Sequence, residues 1–119
     1  MIAIKIDVMG LKKLIQNFKG SGEMIAKRMN SAVYIASMIA VRNIKLTTPV
    51  RTGNLRRGIR VDSFGKFKAT IMPHNAPYAI FVHYRNPFMQ RGADDSREEI
   101  DVVFNQTMNE IVRDLSNNS

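Results

Sequence analysis

Arg51, Arg56, Arg57 and Arg60 crowd into the stretch from Thr47 to just past Ile59, the densest positive charge in the chain. A guanidinium is planar, permanently charged and shaped to fork onto a carboxylate or a phosphate, and it survives desolvation better than an ammonium. Two partners suit that chemistry. Phosphates of a nucleic acid would give salt-dependent, sequence-blind affinity; acidic side chains of another protein would satisfy the same forks. A well-solvated basic surface is the third reading. The nearest aromatic rings are Phe64 and Phe67, which offer little for stacking bases.

Residues able to catalyse are harder to assemble. His74 and His83 stand nine positions apart with no third ligand in view, a spacing without a metal motif. No Ser–His–Asp order suggests an activated nucleophile, and no glycine-rich phosphate loop follows a strand. The paired acids Asp94-Asp95 and Glu98-Glu99 are accounted for by helix-cap duty. No catalytic, cofactor-binding or metal-ligating residue is therefore assigned, and neither an enzyme nor a cofactor is expected.

The arginines need elements to hold them. Pro49 stops a helix, because its ring fixes φ, lacks a donor and turns Thr48 away from helical geometry. Thr52-Gly53-Asn54 then reads as a tight turn. Upstream, Ile2, Ile4, Ile6 and Val8 alternate with Ala3, Lys5 and Asp7 as in a half-buried strand. Leu11, Leu14, Ile15 and Phe18 recur at helical spacing and end at Gly20-Ser21-Gly22. From Ser21, a possible N-cap, a long helix should reach about Leu46. Its stripe of Ile25, Met29, Ala32, Val33, Ala36, Ile39 and Ala40 is matched by Tyr34, Ile35, Met38 and Val41 on the other side. Apolar groups nearly all round predict burial on more than one face, either against a neighbouring subunit or inside this chain's own core.

Downstream, Ile59 and Val61, then Phe67, Ala69 and Ile71, alternate about a turn at Ser63–Lys66, which predicts a β-hairpin with one apolar face. Residues 73–77 read as a linker. Tyr78–Tyr84 fits either a strand or a short helix opened by Pro77, and Asn86-Pro87 marks another break. Ser96-Arg97-Glu98-Glu99 has the form of a capping box, predicting a C-terminal helix from there with Ile100, Val103, Phe104, Met108, Ile111 and Leu115 as its stripe.

The fold class expected is α+β: a long central helix and a C-terminal amphipathic helix packed on a small antiparallel β-sheet. Residues 1–115 form a single domain with a basic loop near 47–58, and 116–119 a frayed tail. The bulk numbers agree with one ordinary domain: 119 residues, 45% hydrophobic, 24% charged, no cysteine. No run approaches the ~20 apolar residues of a membrane span, so a soluble protein is expected. The formal charge of +8 is uneven. Residues 1–70 hold 14 Lys and Arg against 3 Asp and Glu, while residues 71–119 hold 4 against 7. Such asymmetry suits nucleic-acid binding, or subunits that stack a basic face on an acidic one.

Several motifs occur in an order that resembles a known family. Gly10-Leu11 enters a helix, a long helix follows, and then comes Pro49-Val50-Arg51-Thr52-Gly53-Asn54-Leu55-Arg56-Arg57-Gly58-Ile59. Ala76-Pro77-Tyr78-Ala79, Pro87-Phe88-Met89 and a last amphipathic helix complete the series. Together they resemble the small tail-component or neck proteins of tailed bacteriophages, which help join the filled head to the tail. One departure stands out: His83-Tyr84-Arg85-Asn86 replaces an acidic residue and a Gly-Thr turn common in that family.

The resemblance implies a non-enzymatic virion protein, assembled in the host cytoplasm, that forms a homo-oligomeric, hexameric ring at the top of the tail. Its partners would be a head-closure or stopper protein on one side and the tail tube protein on the other, with non-specific contact to genomic DNA conceivable and no membrane involved. On that reading the segment carrying Arg51, Arg56, Arg57 and Arg60 is an interface arm that orders on assembly. The competing reading is a small basic nucleic-acid-binding protein using the same arginines.

Overall fold

The computed structural model describes residues 3–7, 22–49, 54–65, 67–74 and 87–117. Within them the order is β1 (Ile4–Asp7), α1 (Gly22–Thr47), a single turn α2 (Asn54–Arg57), β2 (Ile59–Gly65), β3 (Lys68–Pro73) and α3 (Phe88–Asn117). The expected helix over Leu11–Phe18, Arg51 with the Thr52-Gly53 turn, and the Tyr78–Tyr84 segment lie outside the described residues.

The long central helix forms where its stripe predicts. Ile25, Met29, Ala32, Val33, Ala36, Ala40 and Ile44 are all buried at helical spacing. Glu23 in the first turn and Lys45 in the last suit the helix dipole. At its end, just before Pro49, the Thr48 hydroxyl donates to the Ile44 carbonyl at 2.6 Å, satisfying an acceptor that the stopped helix leaves over. The second apolar side is not covered as a whole. Tyr34, Ile35 and Met38 are exposed, whereas Val41 packs partly against the core.

The C-terminal helix starts eight residues earlier than the capping box predicts. The Pro87 carbonyl accepts the first helical bond, from the Arg91 amide at 3.0 Å, and Ser96 lies buried in mid-helix. Its hydroxyl donates to the Gly92 carbonyl at 2.7 Å and accepts from Asn43 Nδ2 at 2.9 Å. The reason is tertiary. α3 runs antiparallel along α1, and the small residues Gly92 and Ser96 are what let the backbones approach, so this stretch gains more as an interhelical seam than as a helix start. The helix also continues through Ser116 to Asn117.

The sheet has the order β1-β3-β2, all antiparallel. Ile4 faces Ile71 and Ile6 faces Ala69 on one side; Ile59 opposes Pro73 and Val61 opposes Ile71 on the other. The register slips between Val61 and Ser63, leaving Asp62 as a bulge. The hairpin turn is also displaced. β2 runs through Gly65, which pairs with Lys68, so Ser63, Phe64 and Gly65 belong to the strand rather than to the expected turn at Ser63–Lys66. Phe67 takes a φ of 61°, a conformation unusual for a bulky residue. Its ring is buried with Ile25, Met29 and Ile111, and its amide donates to Asn30 Oδ1 at 3.0 Å. Burying an aromatic ring, worth about 1.5–3 kcal/mol, together with that bond, offsets the backbone cost.

A second group, Ala40, Ile44, Leu55, Ile59, Ile71, Phe88 and Met89, fills the space between both helices and the sheet at the opposite end. The result is the expected α+β arrangement: two long helices on a three-stranded antiparallel sheet.

Candidate functional site

Residues after Pro49 are bound into the core at Leu55, 3% exposed, and Ile59, fully buried. The turn is closed by the Gly58 amide on the Leu55 carbonyl at 3.2 Å, and the Gly58 carbonyl accepts from the His74 amide at 2.8 Å. The three described candidate arginines take different positions. Arg56 is half-buried and its Nε donates to the Lys45 carbonyl at 3.0 Å, capping the last turn of α1. Arg57 is exposed on the turn. Arg60 is exposed on β2, opposite Met72. Arg51 lies outside the described residues.

Arg60 belongs to the sheet face turned away from the helices. The strands alternate, so Ile4, Ile6, Ile59, Ala69 and Ile71 face the helices while Lys5, Asp7, Arg60, Lys68, Thr70 and Met72 occupy the other face. Register places Lys5 beside Thr70, Asp7 beside Lys68 and Arg60 beside Met72. Lys5 and Lys68 were not picked out from sequence, although the strand alternation that turned their neighbours inward carried the signal.

The bulge at Asp62 has a local effect of its own. Beyond it the alternation is reversed, so Phe64 pairs with Ala69 and lies on the helix side. There its ring stacks on Tyr34, with centroids 5.7 Å apart and planes 27° from parallel. Both rings remain about half exposed, Tyr34 54% and Phe64 52%. Around the bulge, His74 faces two acceptors: Nδ1 is 3.1 Å from the Met72 carbonyl and Nε2 is 3.0 Å from Asp62 Oδ1. A neutral ring donates to only one of them, and the imidazolium donates to both.

The acidic half of the chain is spent partly on the helix pair. Arg28 bonds Glu110 at 3.0 Å and also Asp114; Arg42 bonds Glu99 at 2.5 Å. The hydrogen bond from Arg42 holds the Glu99 carboxyl below its ordinary value; desolvation opposes this, and the charge of Arg42 assists the lowering. Between these bridges runs an open groove of about 910 Å³ whose walls include Lys27, Ser31, Ile35, Val103 and Glu110. On the outward side of α3, Asp95, Glu98, Asp101 and Val102 are exposed.

Such surfaces present charge and apolar side chains for contact. Among the described residues there is no cluster of three or more His, Cys, Asp or Glu able to hold a metal ion, and no helix long and apolar enough to cross a membrane. No curated protein and no solved structure compared with the chain gives a significant match. A family model does match, that of the HK97-gp10-like tail components of bacteriophages, over residues 12–84. The match runs from ahead of α1 through the arginine-rich turn and the hairpin, more than half of the chain, and the chain therefore belongs to the HK97-gp10-like family of bacteriophage tail components.

Proposed function

We propose that this tail component is a ring subunit at the top of the tail, in the neck, acting in head–tail joining or tail completion. The carrying observation is the family match across α1, the basic turn and the hairpin. Its charge distribution supports the reading: a basic surface on the sheet and an acidic one on α3 lie on one subunit, as a closed heterologous ring requires two different, complementary patches. Tyr34, Ile35, Met38 and Val102 add exposed apolar groups that assembly would cover.

In this reading the protein has no catalytic role. Its neighbours are a head-closure or stopper ring and the tail tube, and Arg57 and Arg60 are contact residues. Electron microscopy of lysates from a phage lacking only this chain tests it. Filled heads beside unattached tails establish joining, and tails of abnormal length establish completion. Normal, infectious virions overturn the proposal. Steep salt-dependent binding of duplex DNA together with normal virions would move the assignment to the nucleic-acid reading.

A further inference from the structure

An antiparallel sheet often leaves one face in water, so exposure alone does not make an interface. The composition of this face is more informative. Lys5, Arg60 and Lys68 sit on three different strands, one cation per strand, against Asp7 on the same face. Met72 and Thr70 are half-buried on the central strand between them. On the outward side of α3, Asp95, Glu98 and Asp101 recur every three residues and lead to Val102, which is 53% exposed. None of these three cations and three acids has an ion-pair partner among the described residues. They are among the charges that the described residues leave without an ion pair, and Asp7, opposite Lys68, is the acid nearest to them in the register.

We propose that the outer sheet face of one copy receives the acidic side of α3 from a second copy. Lys5, Arg60 and Lys68 meet Asp95, Glu98 and Asp101, with Met72 against Val102. The inference rests on the ring reading for its biological setting and supplies the contact that reading lacks.

The dimensions agree. Asp95 to Asp101 spans roughly 9 Å of helix, and the Lys68, Thr70 and Met72 rows span roughly 13 Å along the strand. Flexible Lys and Arg side chains bridge that difference. The occupant is a protein rather than a polyanion because each patch carries an apolar group beside its charges, Met72 in the cross-strand row of Arg60 and Val102 next to Asp101, and Met72 has nothing to gain from a phosphodiester. It is a second copy because the complementary acids stand on this same chain. The two patches lie on different elements facing different ways, so the contact is head-to-tail and propagates around a ring.

Zero-length carbodiimide coupling of an equal mixture of ¹⁴N- and ¹⁵N-labelled full-length chain reads the contact directly. Mixed-isotope peptides should join Lys5 or Lys68 to Asp95, Glu98 or Asp101. In sedimentation at low ionic strength, the K5E/R60E/K68E and D95K/E98K/D101K variants should each self-associate at least about 10-fold more weakly than wild type, since like charges then face one another. Mixing the two variants should restore association, because one reversed sheet face then meets one reversed helix. All six residues are exposed, and circular dichroism checks that the variants keep the fold. If a variant does not fold, the wild-type cross-links decide alone.

A wild-type chain without mixed-isotope cross-links between these residues overturns the proposal, as does failure of two folded variants to complement. Retention of a duplex DNA fragment that K5E/R60E/K68E abolishes, without any self-association, overturns it in favour of nucleic acid. The neck assignment is judged separately, by particles formed without the chain, so either idea can fail while the other stands.

Discussion

A Cβ placed on Gly92 would lie 2.4 Å from the Cα of Ile44 and 2.7 Å from its amide nitrogen. The two long helices are therefore in backbone contact at this point, and Gly92 is the residue that makes the contact sterically allowed. The same approach brings the Thr47 hydroxyl within 2.7 Å of the Phe88 carbonyl, tying the end of α1 to the start of α3.

Gly92→Ala should accordingly destabilise the protein. Alanine gains about 1 kcal/mol of helix propensity over glycine, but the obstructing atoms are backbone and cannot rotate aside. A net loss of about 1–3 kcal/mol is expected from overpacking. Thermal denaturation measures it, and an unchanged or raised midpoint would contradict the close approach.

The early start of α3 makes a second prediction. Ser96→Ala leaves half-buried Asn43 Nδ2 without its acceptor inside the helix seam and should cost about 1–3 kcal/mol. A solvent-exposed N-cap would also lose stability on this change, so hydrogen exchange supplies the discriminating measurement. The amides of Gly92 to Ser96 should be protected in wild type, because they lie inside a continuous helix. Rapid exchange of those amides would place the helix start back at Ser96.

The arginine-rich stretch should separate into structural and surface residues. Leu55→Ala should cost about 2–5 kcal/mol as a buried leucine truncation, and Arg56→Ala about 1 kcal/mol through loss of its bond to the Lys45 carbonyl. Arg60→Ala, on the exposed face, should stay within about 0.5 kcal/mol. Urea denaturation of the three variants gives the order. Equal, negligible effects would mean that the whole stretch hangs free of the core.

Glu99 provides a pH test. Its folded carboxyl is held below the ordinary glutamate value of 4.5, first by the hydrogen bond from Arg42. A lowered folded pKa contributes stability above the unfolded value and loses it as pH falls through the folded one. The Arg42–Glu99 contribution should thus be complete above about pH 4.5 and fade on further acidification. NMR titration of the Glu99 side chain should give a midpoint below the ordinary glutamate value, and Arg42→Ala should raise it. A midpoint unaffected by Arg42→Ala would show that the pair does not persist in solution.

What could be read from the chain and what could not divide along physical lines. Period and punctuation specified α1 from Gly22 to Thr47, because one buried stripe and one proline act through neighbours in sequence. They likewise specified the hairpin and the α+β class. Register and helix packing were decided elsewhere. A Ser-x-x-Glu pattern looks the same at a helix start and in a helix interior, and only the approach of Asn43 and Ile44, far away in sequence, makes Ser96 and Gly92 an interhelical seam.

The arginines show the same division. Their types and spacing announced contact chemistry, and the family resemblance followed from motifs that sequence alone displays. Which guanidinium caps a helix and which faces outward depends on where α1 ends relative to the turn, a relation fixed by burying Leu55 and Ile59. The bulge at Asp62 is likewise invisible in the alternation of β2, since it arises from pairing with β3, and it alone turns Phe64 onto Tyr34. Local patterning thus determined the elements and the kind of chemistry. The tertiary structure decided which charges are used up inside the subunit and which remain for a partner, because compensation of a charge depends on distance in space and not along the chain.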